Sequence, residues 1–284
     1  MYIAQDRGFF TANGVEIINK YYGTGTAAIE ALLKGEVDIA GMSEVPFISK
    51  VFEKRQVSAY ANLDKLQYIY LIAHKDRGIA TAVDLKGKRI GLPRRTIADF
   101  YLGRYLELNG IGVRDLTLVE TAPAAAMDAI TSGRVDGVVV WNPFAHQIRQ
   151  QMGDQAVLIR LQSSQPAYAL AVARNDWLAG HRALLIRSLK AIVQAEEYVV
   201  NHPAEARAIV QKRLNYDAEF INSVWSENQF SLSLDQSLIT AMEDEARWMI
   251  KNNLTAGKTV PDFGNYIYVD ALKAVKPEAV NIIR

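Results

Sequence analysis

The 284-residue chain contains no cysteine. It can therefore form no disulfide, no thiolate zinc site and no cysteine nucleophile. Histidine is also scarce, and none of the four histidines belongs to an H-E-x-x-H motif or another recognisable pair of metal ligands. We expect all four to be surface or hydrogen-bonded core residues, and we expect no metal: His74, His146, His181 and His202.

The chain has neither an excess of one charge nor a long apolar run. Its 32 Lys and Arg against 31 Asp and Glu give a formal net charge of +1, and no apolar run approaches the roughly 18 residues of a membrane span. Balanced charge argues against nucleic acid as a partner and against a polybasic membrane surface. Half of the residues are apolar and 22% are charged, which is typical of a globular protein. The chain opens inside the amphipathic segment MYIAQDRGFF, so we expect a leader or a first element upstream of it.

One short segment resembles a dinucleotide-binding turn. The run from Gly23 to Ala28 fits G-x-G-x-x-G/A, and Glu44 follows about 20 residues later, where a ribose-binding acid would lie. Glu44, however, lies in a predicted loop and does not end a strand. We therefore interpret the glycines as letting a ligand approach the N-terminus of a helix, whose N–H groups favour anions.

An internal repeat supports that interpretation. The segment AAIEALLKGEVD (Ala27–Asp38) aligns without gaps with AAMDAITSGRVD (Ala125–Asp136), and six of the twelve residues are identical. Thr121 and Pro123 occupy the positions of the two glycines in the second copy. The shared feature is thus a helix and its following strand, and the G-x-G is local to the first copy.

Each copy of the repeat predicts a strand, a short helix ending at a glycine, and a second strand. Val15–Tyr21 and Leu116–Glu120 are the predicted incoming strands, and VDIAGM and VDGVVVW are the outgoing strands, buried on both faces. Gly35 and Gly133 end the helices in the left-handed conformation. Strands that alternate with helices predict an α/β protein of two similar lobes, each a mostly parallel sheet flanked by helices.

The lobe boundaries follow from the strands between the repeats. Leu66–His74 reads as a strand leaving the first lobe, and Tyr168–Val172 as one returning to it. We therefore expect a first lobe of residues 1–75 and 166–284 and an inserted lobe of residues 76–165, with crossings near His74–Arg77 and Ser163–Ala167. The inserted lobe contains a predicted helix with Thr96 as its N-cap, Asp99 completing an approximate capping box and Asn109-Gly110 as its end. Its predicted buried stripe is Ile97, Phe100, Tyr101 and Leu108.

Four segments, in order along the whole chain, resemble the nitrate/sulfonate/taurine-type solute-binding proteins of ABC transporters: IAQDRGFFTANGVEI, YGTGTAAIEALLKGEVDIAG, DLKGKRIGLPRRTIADFYL and VVVWNPF. That superfamily also contains binders of thiamine-pyrimidine precursors. The resemblance implies a two-lobed periplasmic-binding-protein-like fold with a ligand cleft that closes by a hinge. It also implies an extracytoplasmic monomer that captures a small polar or anionic organic ligand for the membrane permease of an ABC importer, and this ligand is a sulfonate, nitrate, a carboxylate or a pyrimidine-like compound.

Two departures from the family pattern concern the ligand site. Such proteins usually open with a strand and a cleft loop before the I-A-x-x-x-G-F-F helix. Their second-lobe loop usually reads P-R-G-[ST], whereas this chain has Pro93-Arg94-Arg95-Thr96. Arg94 stands at the family-matching position and is the expected anion contact, while Arg95 either narrows the cleft or turns outward.

Candidate ligand-binding residues lie in the loops that follow strand C-termini, which face the crevice in α/β sheets, and at the second crossing. They are Tyr22, Gly23, Thr24, Gly25, Thr26, Ser43, Glu44, Arg94, Arg95, Thr96, Trp141, Asn142, Gln165 and Tyr168.

The chain shows no catalytic set of residues. Ser43 lies in GMSEV, which lacks the second glycine of a nucleophile elbow. We therefore expect a binding protein that is not an enzyme and that uses no cofactor. Two alternatives stay open, namely an enzyme on the same two-lobed fold, for instance in cofactor biosynthesis, and the ligand-sensing domain of a signalling receptor.

Overall fold

The computed structural model describes residues 1–162 and 165–283. The chain forms two compact units, unit 1 (Met1–Leu66 with Ala167–Arg284) and unit 2 (Gln67–Pro166). The second predicted crossing begins at Ser163, and residues 163 and 164 lie outside the described part. The strand predicted to leave the first lobe belongs instead to unit 2, because Ile69–His74 pairs with two strands of that unit.

The elements alternate between helix and strand through the first two thirds of the chain and are mostly helical afterwards. In chain order the α-helices are α1 (Tyr2–Asp6), α2 (Phe9–Ala12), α3 (Gly25–Leu33), α4 (Glu44–Phe52), α5 (Ile97–Leu108), α6 (Ala126–Thr131), α7 (Phe144–Met152), α8 (Asn175–Gly180), α9 (Arg182–Asn201), α10 (Pro203–Leu214), α11 (Ala218–Trp225), α12 (Gln236–Lys251) and α13 (Asp270–Val275). The strands are β1 (Ile39–Met42), β2 (Val57–Leu66), β3 (Ile69–His74), β4 (Arg89–Leu92), β5 (Thr117–Glu120), β6 (Gly137–Trp141), β7 (Ala156–Arg160), β8 (Ala167–Arg174) and β9 (Asn228–Gln229).

Unit 1 contains a four-stranded sheet in the order β1-β8-β2-β9, and all of its neighbouring strands are antiparallel. The prediction of a mostly parallel sheet is wrong here, because the returning strand β8 lies between β1 and β2, which run in the same direction. The predicted strand Val15–Tyr21 is also wrong. These residues form no ladder with the described chain, although their alternating apolar pattern suits a strand.

Unit 2 contains a five-stranded mixed sheet in the order β5-β4-β6-β3-β7. The strand β4 is parallel to β5 and β6, whereas β3 is antiparallel to β6 and β7. The parallel arrangement predicted from the second repeat is therefore confirmed for β5 and β6. The C-termini of β4, β5, β6 and β7 all lie at the same edge of the sheet.

The predicted helix ends are confirmed, whereas one residue of the predicted buried stripe of α5 is exposed. Gly35 and Gly133 follow α3 and α6 with φ of +75° and +70°, where the absence of a Cβ relieves strain. Thr96 is the N-cap of α5, and its Oγ1 accepts a hydrogen bond from the Ala98 N–H at 3.3 Å. Leu108 is 65% exposed, so the prediction that it is buried is wrong. It is the last residue of α5 and belongs to an exposed turn, while Leu106 is buried instead.

In residues 1–162 and 165–283, no helix combines the length and the apolarity that a membrane span requires.

Candidate functional site

The predicted glycine-rich turn forms the N-terminus of α3 in unit 1. Thr24 is the N-cap, and its Oγ1 accepts a hydrogen bond from the Ala27 N–H at 3.2 Å. A Cβ on Gly25 would lie 2.8 Å from the Cβ of Met42, at the end of β1, so this glycine allows the helix and the strand to pack closely. A Cβ on Gly23 would meet no atom within 4 Å. The second glycine therefore has a packing role, and the first leaves open space beside the backbone.

Three other candidates of unit 1 lie near the N-termini of α3 and α4. Tyr22 is half-buried. The Thr26 Oγ1 is buried and has no hydrogen-bond partner among the described residues. Ser43 is the N-cap residue of α4, but its side chain makes no capping hydrogen bond. The hydroxyl of Thr26 is thus a polar group whose hydrogen-bonding capacity is unfilled.

Glu44 and Tyr168 lie inside unit 1. Glu44 is 0% exposed, and its Oε1 accepts a hydrogen bond from the Tyr168 N–H at 2.7 Å. Tyr168 is also buried, and its hydroxyl lies 2.8 Å from the Ser237 Oγ. Burial raises the pKa of Glu44 to about 8. The carboxyl therefore supports the start of β8 and presents no surface to solvent.

A second acid lies close to Glu44. Glu245, on α12, is 0% exposed, and neither of its carboxyl oxygens has a hydrogen-bond partner in the described chain. Burial raises its pKa well above the ordinary value, and the charge of Glu44 raises it further. No sequence pattern indicated this pair, because a glutamate on an amphipathic helix usually faces solvent.

A charged network that sequence reasoning missed lies beside Tyr168. The Lys65 Nζ, at the end of β2, lies 2.8 Å from Asp235 Oδ2 and 5.2 Å from the centre of the Tyr168 ring. Asp235 is the N-cap of α12 and also accepts a hydrogen bond from the Ser237 hydroxyl. The positive charge of Lys65 is therefore balanced within unit 1. The N-cap pattern before QSLIT could have identified Asp235, but nothing in the sequence indicated its partner.

In unit 2 the remaining loop candidates follow strands that end at one edge of the sheet. Leu92, the last residue of β4, pairs with Glu120 of β5, and Trp141 of β6 pairs with Ile69 of β3. The structure therefore places the loop after β4 and the loop after β6 at the same edge. This edge carries Arg94, Arg95, Thr96, Trp141 and Asn142.

The Pro93–Thr96 loop is held by the buried carboxylate of Asp99. The Asp99 Oδ2 accepts hydrogen bonds from the Arg95 backbone N–H and from the Arg94 Nε–H, both at 3.0 Å. Thr96 donates its hydroxyl to the Pro93 carbonyl at 2.7 Å. Asp99 thus bonds the loop, and no bond to the backbone N–H of Thr96, which a capping box would use, is among its contacts.

The two arginines of this loop differ in their charge balance. Asp99 pairs with the guanidinium of Arg94. Arg95 is exposed, and among the described residues no carboxylate pairs with its side chain. Its φ is +58°, in the left-handed region that favours glycine, which explains why glycine suits this position in the P-R-G-[ST] pattern. The geometry therefore favours Arg95 over Arg94 as the cation available to a ligand.

The last candidates of unit 2 are aromatic and amide groups. Trp141 is half-buried, and its ring packs edge-to-face on Phe144 with 6.5 Å between the centres. The Gln165 carbonyl accepts a hydrogen bond from the Tyr101 hydroxyl at 3.0 Å. The Gln165 Nε2 is buried without a partner in the part of the chain that the structure describes, so it is an available donor.

Gln162 was not predicted as a functional residue. Its Oε1 accepts hydrogen bonds from the backbone N–H groups of Tyr68 and Ile69 at 2.6 and 2.9 Å. This side chain thus joins the two chain segments at which unit 2 begins and ends. Glutamine is common on protein surfaces, and the sequence offers no signal that separates this one.

Comparison with known proteins relates most of the chain to proteins that are named as binding proteins. The family model described as NMT1/THI5 like matches residues 1–206. A binding protein of Brucella abortus is 24% identical over 251 residues, which cover 83% of this chain and 76% of that protein. The taurine-binding periplasmic protein of Escherichia coli is 23% identical over 202 residues, 70% of this chain and 62% of that protein.

Solved structures with the same fold include both binding proteins and an enzyme. The alkanesulfonate-binding protein SsuA from Xanthomonas axonopodis pv. citri, bound to MOPS, has a TM-score of 0.83 at 17% identity, covering 94% of this chain and 93% of that one. The desulfurization enzyme DszB has a TM-score of 0.71 at 15% identity, covering 98% and 95%. The match of the family model and the likeness to SsuA agree with the architecture described above. The chain belongs to the NMT1/THI5-like family and has the two-unit α/β fold of the periplasmic binding proteins.

Proposed function

We propose that this protein is an extracytoplasmic solute-binding protein that captures a small organic anion and delivers it to the membrane permease of an ABC importer. The proposal rests on the exposure, the position and the unpaired charge of Arg95. Its guanidinium is exposed, lies one residue before the N-cap of α5, and has no carboxylate partner among the described residues. A helix N-terminus and an unpaired guanidinium together suit a sulfonate or a carboxylate.

The expected strength of this contact follows from ordinary magnitudes. A hydrogen bond to a charged group contributes about 1.5–3 kcal/mol, and the N-terminus of a helix adds about 0.3–1 kcal/mol for an anion. Micromolar affinity corresponds to about −8 kcal/mol. The loop therefore supplies a substantial part of the binding free energy. Glu44 and Tyr168 are buried and bonded to each other, so we propose that the other predicted residues supply the rest: Tyr22, Gly23, Thr24, Gly25, Thr26, Ser43, Arg94, Thr96, Trp141, Asn142 and Gln165.

The names of the relatives support binding of sulfonates or taurine, and they support an extracytoplasmic location. A second candidate function is an enzyme, because DszB has the same fold. Binding without turnover is favoured because the chain contains no cysteine. In addition, no group of three His, Asp or Glu side chains in the described chain is arranged to hold a metal ion.

A ligand screen tests the proposal. The purified protein is heated with propane-1-sulfonate, 2-aminoethanesulfonate, butanoate, nitrate or uracil, and a rise in Tm identifies a ligand of the folded state. Calorimetry then measures affinity for the wild type, for Arg95→Ala, and for Arg114→Ala as a control at another exposed arginine of unit 2. We expect an anion to bind and Arg95→Ala alone to weaken it about tenfold or more.

The fate of the ligand separates the two functions. After long incubation, NMR of the solution should return the ligand unchanged. Binding of uracil alone, with no response to any anion, would contradict the anion assignment. Steady conversion of a bound ligand, abolished by a substitution in the Pro93–Thr96 loop, would establish the enzyme instead.

A further inference from the structure

The backbone carbonyl of Gln165 is held by two side chains of unit 2. The Tyr101 hydroxyl donates a hydrogen bond to this carbonyl at 3.0 Å, and the Gln162 Nε2 lies 3.5 Å from the same oxygen, which is a weaker contact. A carbonyl oxygen can accept two hydrogen bonds, so the two donors do not compete. Gln165 lies two residues before β8, and its backbone is therefore fixed just before the chain leaves unit 2.

The orientation of the Gln162 amide follows from its other contacts. Gln162 is 5% exposed, and its Oε1 accepts hydrogen bonds from the backbone N–H groups of Tyr68 and Ile69 at 2.6 and 2.9 Å. Because two donors meet this oxygen, an amide turned the other way would place its own N–H groups against them and lose both bonds. The Nε2 group consequently faces Gln165, and backbone atoms at the start of β3 determine its orientation.

Tyr101 connects Gln165 to the helix that carries the Pro93–Thr96 loop. It lies on α5, five residues after the N-cap Thr96, and is 2% exposed. Its ring packs edge-to-face on Phe100 with 5.1 Å between the centres. Aromatic side chains on a helix lean toward its N-terminus. The hydroxyl of Tyr101 thus joins Gln165 to the N-terminal half of α5.

The side chain of Gln165 has an unfilled donor. Its Nε2 is buried and has no hydrogen-bond partner among the described residues. A buried donor without a partner is costly, and most such groups in folded proteins are paired. Because the backbone carbonyl of the same residue is already bonded, the side-chain amide is the group of Gln165 that is available to a ligand.

We propose that the Gln165 amide donates a hydrogen bond to the ligand and that Tyr101 and Gln162 are positioning residues that hold Gln165 for this contact. The inference rests on the proposed function and adds the donor group and the two residues that fix it. An amide donor suits an oxygen of a sulfonate, a carboxylate or nitrate, and its bond to a charged group is a strong one. Loss of that bond should lower affinity about tenfold or more. Loss of a positioning bond should lower affinity less, about three- to tenfold, because the donor itself is kept.

Calorimetry on single variants tests each contact. The probe is whichever of propane-1-sulfonate, 2-aminoethanesulfonate, butanoate and nitrate binds the wild type most tightly. Gln165→Met keeps the length of the side chain without the donor and should lower affinity about tenfold or more. Tyr101→Phe removes only the hydroxyl and should lower affinity about three- to tenfold. The control Tyr105→Phe removes a hydroxyl one turn later on the same helix, outside this set of contacts, and should leave affinity unchanged.

Two further variants separate positioning from a general loss of structure. Gln162→Glu keeps an acceptor oxygen for Tyr68 and Ile69 and removes the donor to Gln165, so it should weaken binding as Tyr101→Phe does. In a Gln165→Met background, Tyr101→Phe should cause no further loss, because effects that pass through one contact are not additive. Thermal unfolding without ligand establishes that each variant is folded. Tyr101→Phe and the double variant decide the inference even if Gln162→Glu does not fold.

Four results would overturn the inference. Wild-type affinity in folded Gln165→Met would refute the ligand contact, and wild-type affinity in folded Tyr101→Phe would refute the positioning role. An equal loss from Tyr101→Phe with and without the Gln165 amide would show that Tyr101 does not act through Gln165. These three results leave the proposed function intact, since Arg95→Ala tests it separately. Absence of binding by all four probes to folded wild-type protein would contradict both the inference and the anion-binding function.

Discussion

Replacing Glu245 by glutamine should change how the stability of the protein depends on pH. Glu245 and Glu44 are both 0% exposed, and three of their four carboxyl oxygens have no hydrogen-bond partner among the described residues. Burial raises the pKa of Glu44 from 4.5 to about 8 and that of Glu245 well above 4.5. At pH values between 4.5 and its raised pKa, each acid is thus protonated in the folded protein and ionised in the unfolded chain.

Proton linkage determines the sign and the size of this pH dependence of stability. Because the folded state binds the extra proton, the stabilisation is complete below about pH 4.5 and is lost as pH rises toward the raised pKa of each acid, which is about 8 for Glu44. Each such acid lowers the free energy of unfolding by up to about 1.4 kcal/mol per pH unit in this interval. From pH 5.5 to 7.5 one acid therefore contributes up to about 2.7 kcal/mol, and a change of about 1–3 kcal/mol allows for relaxation of the site.

The assay is urea unfolding at pH 5.5, 6.5 and 7.5, followed by circular dichroism and extrapolated linearly to water. Burying the glutamine amide lowers the free energy of unfolding by about 1–3 kcal/mol at every pH. The informative quantity is therefore the slope of that free energy against pH. Glu245→Gln should become about 1–3 kcal/mol more stable relative to wild type between pH 5.5 and 7.5. Asp64, whose pKa burial raises to about 7, titrates in both proteins. Its contribution therefore cancels in the difference between their free energies of unfolding.

A carboxylate on the same helix provides the control. Glu243 is partly exposed and lies 2.9 Å from Arg247, so Glu243→Gln removes an acid from α12 without changing the buried pair. This control should follow the wild-type slope. If Glu245→Gln also follows it, Glu245 does not carry an extra proton in the folded protein and the reasoning is refuted.

Two further substitutions test the packing of the loops. Gly25→Ala should lower the free energy of unfolding by about 1–3 kcal/mol because its Cβ would lie 2.8 Å from that of Met42, whereas Gly23→Ala should be near neutral; equal effects in urea unfolding would contradict the assigned packing role. Asp99→Ala should cost about 1–3 kcal/mol, since the Arg95 N–H and the Arg94 Nε–H both lose their acceptor, and an unchanged urea midpoint would show that Asp99 does not hold the loop.

The internal repeat made much of the local structure predictable. The helices before Gly35 and Gly133, the strands after them and the N-cap Thr96 all follow from patterns that one or two turns of chain determine. Sheet neighbours depend on distant segments. The alternation in Val15–Tyr21 predicted a strand but carried no information on a partner, and nothing near β1 indicated that β8 would pair with it.

The sequence predicted the loops of the candidate site better than it predicted the directions of the side chains in those loops. Strand C-termini nominated the loop after β4, and the structure places the ends of β4, β5 and β6 at one edge. Glu44 follows a strand in the same way, yet its side chain turns inward to the Tyr168 N–H. Likewise, the choice between Arg94 and Arg95 depends on Asp99, four to five residues away. Such choices depend on side-chain direction, which a one-dimensional pattern does not contain.

Arg95→Gly tests the central claim most directly, because it separates ligand binding from folding. The left-handed conformation costs a residue other than glycine about 1–2 kcal/mol, and the greater flexibility of glycine in the unfolded chain offsets about 0.5–1 kcal/mol of that. Stability should therefore be equal to that of wild type or up to about 1.5 kcal/mol higher. Calorimetry with propane-1-sulfonate and 2-aminoethanesulfonate should nevertheless show affinity reduced about tenfold or more for whichever probe the wild type binds. Unchanged affinity in this stable variant would contradict the assignment of the Pro93–Thr96 loop as the anion-binding element.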